Sequence, residues 1–403
     1  MPASIPHQTV PTVADLDLFS DEVLQDSMPT YVRLREMAPV VYLPACDLWV
    51  ITRYEEVREA LGNTDVFSST GVAFNDTMNE ALAGTSLATD PPGHQKLRDA
   101  LTENLSPRAV RKMKDGIFAK ADALVGEVAS RGEIDGMEEL AKVFPVSIVM
   151  DLIGVQGEVR ERLLSWGEAA FNMQGPLNDR ALDSFPVAQE LFDWTHEQIV
   201  AEDLMEGSIG RGVFEAAERG QIPYESCGMI IHQYIAAGMD TTITSIGNAI
   251  VLLGRYPEQF QRLRDKPELA SSAFNEVQRF LAPIPVLGRR ALSDVDVGGT
   301  TIPAGSQTAL LVAASNRDPR HYENPEEFLI ERNPVDHLSF GYGTHTCAGQ
   351  GLARLEAHGI LAALAGRIES YAVGQTMPRI NNITRPYRYI SMQEIVPTEG
   401  RLR

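Results

Sequence analysis

Cys347 stands near the end of the run Phe340-Gly341-Tyr342-Gly343-Thr344-His345-Thr346-Cys347-Ala348-Gly349, and a helical pattern follows it directly. A sulfur placed where a loop turns into a helix faces unpaired main-chain amides, which stabilise negative charge and favour the thiolate. The spaced glycines let the backbone approach a flat ligand with no Cβ in the way. A thiolate presented in this manner is one of the few axial ligands that proteins give to haem iron, and the one that promotes cleavage of an O–O bond. A lone cysteine elsewhere is most often a small buried hydrophobe; glycines at fixed offsets argue against that here. Zinc or an iron–sulfur cluster needs about four soft ligands, and the chain has only Cys46, Cys227 and Cys347.

The spacing of Phe340, Gly341, Gly343, His345, Cys347 and Gly349 resembles the signature of the cytochrome P-450 superfamily. The resemblance implies haem b held by the Cys347 thiolate, with Phe340 and Gly349 beside it and His345 on a haem propionate. Three further stretches resemble family motifs in the family's order. Ala237-Gly238-Met239-Asp240-Thr241-Thr242 resembles the oxygen-activation motif. Activating dioxygen consumes two protons, and a buried hydroxyl, Thr241, backed by a carboxylate, Asp240, can relay them. The small residues Ala237 and Gly238 leave room for dioxygen. Threonine in a helix can also simply bond back to its own backbone.

Asp90-Pro91-Pro92-Gly93-His94-Gln95-Lys96-Leu97-Arg98 presets a turn and then a helix on which His94 and Arg98, four apart, share one face. The resemblance assigns both to propionates. Pro283-Ile284-Pro285-Val286-Leu287-Gly288-Arg289-Arg290 is extended by its prolines; Leu287 would face substrate and Arg289 a propionate, with Arg290 the alternative. Glu276 and Arg279 are three apart on one helix, a pair worth little on a surface. In the family such a pair joins an arginine of a later meander, for which Arg317 is the candidate, in a structural trio.

Long elements must position these groups. Residues 222 to 254 are mostly apolar, and about 33 residues of helix would run ~50 Å, so this helix should cross the middle of the protein. Asp240, Thr241, Thr242 and Asn248 interrupt it and argue against a membrane span. A helix from Ala348 to Leu364 should pack behind the haem. A short helix (Tyr31 to Met37), strands Val40 to Leu43 and Leu48 to Ile51 joined by Pro44 to Asp47, and another helix precede the loop at 68 to 74. In the family that loop roofs the substrate cavity, which makes Val72 and Phe74 substrate-contact candidates. Ser106-Pro107 caps a helix whose first turns carry Arg108, Arg111, Lys112 and Lys114. This basic patch on an acidic protein is either a surface helix end or a docking face for an acidic ferredoxin. Residues 117 to 220 read as successive helices with breaks near 132 to 136 and 174 to 176; Phe171 falls where relatives contact substrate. Val295 to Gly305 reads as a hairpin turning at Gly298-Gly299.

The chain has 403 residues, 44% of them hydrophobic, and a net charge of -20. That charge makes nucleic acid an unsuitable partner. Three unpaired cysteines argue against a disulfide framework, and residues 1 to 30 carry no apolar run of the ~20 residues that a span needs. A cytoplasmic protein with no membrane segment is expected. The resemblance implies a mainly α fold with a small β region, a triangular helical domain covering residues 1–403 with no fused reductase. Electrons would come from NAD(P)H through a separate ferredoxin and flavin reductase, and dioxygen would supply one atom to a C–H bond. Ser68-Ser69-x-Gly71-Val72 and Ser315-Asn316-Arg317-Asp318-Pro319 look like the branch that O-demethylates small para-substituted aromatics. In benzoate-binding relatives arginines stand where this chain has Thr70 and His232. With Gln233 beside His232, the pocket suits a neutral ring, and an alkylguaiacol or related methoxyphenol is the expected substrate. A hydroxylase of a terpenoid, fatty acid or natural product, and a haem-thiolate sensor without oxygenation, are the alternatives.

Overall fold

The computed structural model describes residues 10–155 and 159–398. The first nine residues of the N-terminal stretch read above, and 156–158 within the 117–220 stretch, lie outside the described residues. Among the described residues the fold is mainly helical with three small sheets, in line with the expected mainly α fold with a small β region. Strands Val40–Leu43, Leu48–Ile51, Gln307–Leu310, Leu287–Ala291 and Phe67–Ser68 form one sheet in that order, and only the second and third run parallel. Gly298 and Gly299 both adopt positive φ, 56° and 84°, which is what a two-residue hairpin turn with the strands' right-handed twist requires. A C-terminal hairpin, Ile368–Pro378 with Tyr387–Pro397, joins Ile134–Asp135 in a second sheet. Its connecting loop enters the interior, a feature the sequence did not announce.

The expected central helix is present in two pieces. Ser226–Gly238 and Asp240–Arg255 are separated by Met239, whose φ of -104° and ψ of -66° are still right-handed but distorted from regular helix. The start lies four residues after Ile222, because Pro223 and Tyr224 form a turn that accepts the amides of Ser226 and Cys227. At the break, the hydroxyls of Thr241 and Thr242 donate to the carbonyls of Ala237 (2.9 Å) and Gly238 (3.1 Å), a competition with the backbone ladder that bends helices. Residues 226–255 are long and apolar enough to cross a membrane, but the most apolar window is 78% buried in protein, as befits a core helix.

This helix contributes to the larger of two main apolar cores. The larger is helical and includes Phe144, Trp166, Ile250, Phe274 and Ile360; the other gathers Tyr31, Val50, Ile51 and Leu310 under the five-stranded sheet. Helix Pro107–Ala129, capped by Ser106, lies against helix Gln350–Arg367 at Gly359, where an added Cβ would meet Ile117 at 3.4 Å.

Candidate active site

The Cys347 loop is built as its glycines demand. Gly341 sits at φ 70°, ψ -171° and Gly343 at φ 74°, conformations that other residues rarely adopt. The amide of Cys347 donates to the carbonyl of Phe340 at 2.7 Å and closes the loop. The following helix starts at Gln350 and runs to Arg367, rather than from Ala348 to Leu364, because Gly349 is held at ψ 2°. That offset leaves the amides of Gly349 and Gln350 free to donate to the sulfur. Burial pushes the Cys347 thiol up, and the Gly349 and Gln350 amides with the Arg98 and Arg354 guanidinium groups only partly pull it back. A helix start alone does not make this thiolate; a metal cation at the sulfur would supply what is missing.

Four of the predicted anion-binding side chains converge near Cys347. The rings of His94 and His345 meet edge to face with centroids 4.5 Å apart. Arg98 donates to the carbonyl of Thr346, next to the cysteine. Arg289 is buried with its Nε unpartnered, as is His94 Nε2. Arg290 instead turns outward to Asp76 at 2.7 Å, so the interior position belongs to Arg289. Burial, then the charges of Arg289 and His94, holds His345 down at about 4, and burial lowers Arg289 to about 10. The carboxylate facing this group is Asp90. Burial acts upward on it, but donation from Ser68 and Ser69 prevails and holds it below the usual range. Asp90 and Ser69, whose hydroxyl lies 3.0 Å from His345 Nε2, were not picked out as site residues. They share the cluster only through the fold.

These residues fit haem. Two buried nitrogens without partners suit the two carboxylates of the porphyrin, and an added Cβ at Gly238 or Gly349 would meet nothing within 4 Å, leaving a flat group room at both. Gln233, Ala237 and Thr241 lie four apart along one face of the broken helix. Ala237 is exposed and the other two half-buried, although the helix around them is mostly buried. Asp240, by contrast, faces helix Val159–Met173, where a Cβ added at Gly167 would lie 3.8 Å from its own Cβ. Its two oxygens accept from Arg379 (2.6 Å) and from Thr384 (2.8 Å), and Arg379 also donates to Glu168 at 2.9 Å. No local pattern marks Arg379 or Thr384, which belong to the C-terminal hairpin loop.

The substrate-contact candidates are spread over several contacts. Val72 is buried with Leu82 and Ala88. Phe74 packs on Phe19 with ring centroids 4.9 Å apart, and Phe171 is buried in the same core. Leu287 is half-buried on the same strand face as Arg289. Gln233 Oε1 accepts from Ser86 at 2.8 Å, which ties the long helix to the loop after Leu82. His232 lies 3.4 Å from the Thr195 hydroxyl and close to His196, and burial pushes it down to about 4, a neutral imidazole.

Glu276 and Arg279 are both fully buried and pair through two bonds of 2.8 Å. The expected third member is replaced. Arg317 spends its donors on the carbonyl of Phe280 and on Glu326, whereas Arg332 reaches Glu276 at 3.3 Å. The later position wins because the amide of Leu329, three residues earlier, already docks on the same carboxylate. On the surface, Arg108, Arg111, Lys112 and Lys114 are all exposed.

Comparison with known proteins agrees with this geometry. The family model described as Cytochrome P450 matches residues 202–381. A protein of Rhodopseudomonas palustris named cytochrome p450 CYP199A2 is 34% identical over 97% of this chain and 95% of its own. The β-dihydromenaquinone-9 omega-hydroxylase of Mycobacterium tuberculosis is 31% identical over 90% of this chain and 74% of its own. Among solved structures, cytochrome P450 CREJ in complex with (4-ethylphenyl) dihydrogen phosphate aligns with a TM-score of 0.84 at 25% identity, covering 92% of this chain and 97% of that one. CYP109E1 from Bacillus megaterium in complex with testosterone aligns at 0.82 and 26% identity, covering 93% and 99%.

Proposed function

This chain belongs to the cytochrome P450 family, the haem-thiolate monooxygenases, and from that premise we propose that it removes the methyl group of a small, uncharged methoxyarene. When bound, the haem b of this family activates dioxygen and inserts one of its atoms into a substrate C–H bond, the other leaving as water. Cys347 would hold its iron through the sulfur. His94, Arg98, Arg289 and His345 hold the propionates, and Phe340 and Gly349 border the sulfur. Gly238 and Ala237 would leave room beside the long helix for dioxygen. The Thr241 hydroxyl passes protons inward, and Asp240 replenishes them. Hydroxylation of an aryl methyl ether at its methyl carbon gives a hemiacetal, which collapses to a phenol and formaldehyde. Val72, Phe74, Phe171, His232, Gln233 and Leu287 shape the cavity. Electrons arrive in the cytoplasm from a separate ferredoxin and flavin reductase, docked on the basic patch at Arg108 to Lys114.

One observation carries the substrate reading. The polar side chain that the long helix offers one turn before Ala237 is an amide, Gln233, and the neighbouring His232, which sits against Thr195 and His196, is kept neutral by burial. A ring without a carboxylate suits an amide of this kind. The test is a spectral titration of the purified haem protein with guaiacols, methoxybenzoates, terpenes and fatty acids. Tight response to guaiacols with formaldehyde released on turnover is expected; tight response to benzoates alone overturns it. A hydroxylase of a long apolar substrate is the second reading, favoured by the named activity of the mycobacterial relative. Product without formaldehyde would establish it.

A further inference from the structure

Phe19 belongs to the N-terminal arm, far in sequence from every cavity candidate, yet it stands directly behind one of them. Its ring and that of Phe74 have centroids 4.9 Å apart and planes tilted by 58°, within the range that aromatic pairs favour. Phe19 is buried, whereas Phe74 is half-buried at the edge of the same core together with Ile284 and Leu287. Leu287 shares a strand face with Arg289, a propionate candidate. The half-buried edge of the smaller core is thus the side turned to the cavity.

The backbone on either side of Phe74 is fixed. Asn79 brackets Ala73 with its side-chain amide, accepting the N–H at 2.9 Å and donating to the carbonyl at 3.0 Å. The amide of Phe74 donates to the carbonyl of Gln174 at 2.8 Å, and Asn75 donates to the carbonyls of Met173 (2.8 Å) and Gly175 (2.6 Å). Rotation of the Phe74 ring is what remains free, and Phe19 closes off the core side. Phe19 is held in its turn. Its amide donates to Asp17 Oδ1 at 2.8 Å. Its carbonyl accepts from Arg180 of helix Asp179–Asp193, whose guanidinium also reaches Asp21 and, at 2.9 Å, Asn382 Oδ1. Further back, the arm is tied to strand Val40–Leu43: Tyr42 donates its amide to Pro11 (2.9 Å) and accepts that of Val13 (3.1 Å). One fixed ring therefore backs another.

We propose, on the reading of Phe74 as a cavity wall, that Phe19 is the positioning residue that sets how long a substrate the cavity admits. With the Phe74 ring held forward, a small ring with a short chain fits and a longer chain does not. Truncating Phe19 leaves a void that its hydrogen-bonded surroundings fill only in part. The Phe74 ring then turns back into that void, and the cavity gains the length.

A series of 1-alkylimidazoles, butyl to dodecyl, tests this on the ferric holoenzyme without turnover. The imidazole nitrogen binds the haem iron, the chain extends into the cavity, and the shift of the haem absorption band reads the affinity. Each buried methylene should raise affinity about fourfold until the chain meets Phe74 and the gain stops. Phe19→Ala should move that stop to longer chains, raising the affinity of chains beyond the native stop about tenfold and leaving butylimidazole unchanged. Phe19→Leu, which keeps most of the packing, and Arg180→Gln, which frees the Phe19 carbonyl, should move it the same way by less. Leu34→Ala, a truncation on helix Met28–Met37 in the same core, should lower thermal stability and leave the stop where it is. A stop unmoved in folded Phe19→Ala or Phe19→Leu, a native series with no stop, or an equal movement in Leu34→Ala overturns the proposal. The expected Phe19 shifts without any response to guaiacols support the role of Phe19 and remove only the methoxyarene reading.

Discussion

The amide of Cys347 donates to the carbonyl of Phe340 across the glycine loop, at 2.7 Å. This bond fixes the sulfur against the backbone only because Gly341 turns the chain at φ 70°, ψ -171°, a region essentially reserved for glycine. Gly341→Val should therefore cost about 1–3 kcal/mol and loosen haem. Thermal unfolding together with the long-wavelength carbon monoxide band of the reduced protein measures both, and a native band at native stability would contradict the constraint.

Breaking the buried Glu276–Arg279 pair leaves a charge with no partner. Arg279→Leu is expected to destabilise by about 3–5 kcal/mol, and Arg332→Leu, which removes one charged hydrogen bond, by about 1.5–3 kcal/mol. In urea unfolding, Arg332→Leu should also uncover the Glu276 carboxylate, whereas Arg317→Leu should not.

Thr241→Ala removes the hydroxyl that bonds back to Ala237 without touching the core. Its fold and haem spectrum should be native, while product formed per NADH drops severalfold and hydrogen peroxide rises to account for the difference. Unchanged coupling would remove Thr241 from the proton path.

Burial, then the nearby charge of Arg354, keeps His337 down at about 3, and burial keeps His232 down at about 4. Both lie below the unfolded value, so the unfolded chain binds more protons as the pH falls, and stability rises with pH between the folded and unfolded values. From pH 6.5 down to about 4, each histidine should remove stability at about 1.4 kcal/mol per pH unit. Substituting His232 by Gln or His337 by Phe should each flatten the slope of unfolding free energy against pH by roughly that amount.

Lys112 and Lys114 are exposed near the start of the helix that begins at Pro107. If this patch receives an acidic ferredoxin, Lys112→Glu with Lys114→Glu should raise the KM for that partner severalfold at low salt and leave kcat at saturation unchanged. Raising the ionic strength should weaken native docking and erase the difference between the two proteins. Equal KM values at low salt would place the docking face elsewhere.

Local chemistry made much of this molecule legible in advance. The glycine spacing around Cys347, the four-residue interval between His94 and Arg98, the Gly-Gly hairpin and the run of apolar residues through Ala237 each carry their meaning within a few residues. Hydrophobic periodicity, turn geometry and helix spacing are short-range effects, so one dimension suffices to read them. Distant pairings are another matter. Arg332 could not be chosen over Arg317 from sequence, since both are arginines in the same meander and only packing decides which one reaches Glu276. The turning of Asp240 toward Arg379 and Thr384 had no local signal either; those partners stand 139 and 144 residues away. Which groups surround the Cys347 sulfur, among them Arg98 and Arg354 from distant helices, is likewise a property of the tertiary structure. By itself, then, the order of residues determined which side chains could bind a metal, relay a proton or hold an anion, while the folded chain decided which of them meet, because desolvation and long-range partners arise only when distant segments pack together.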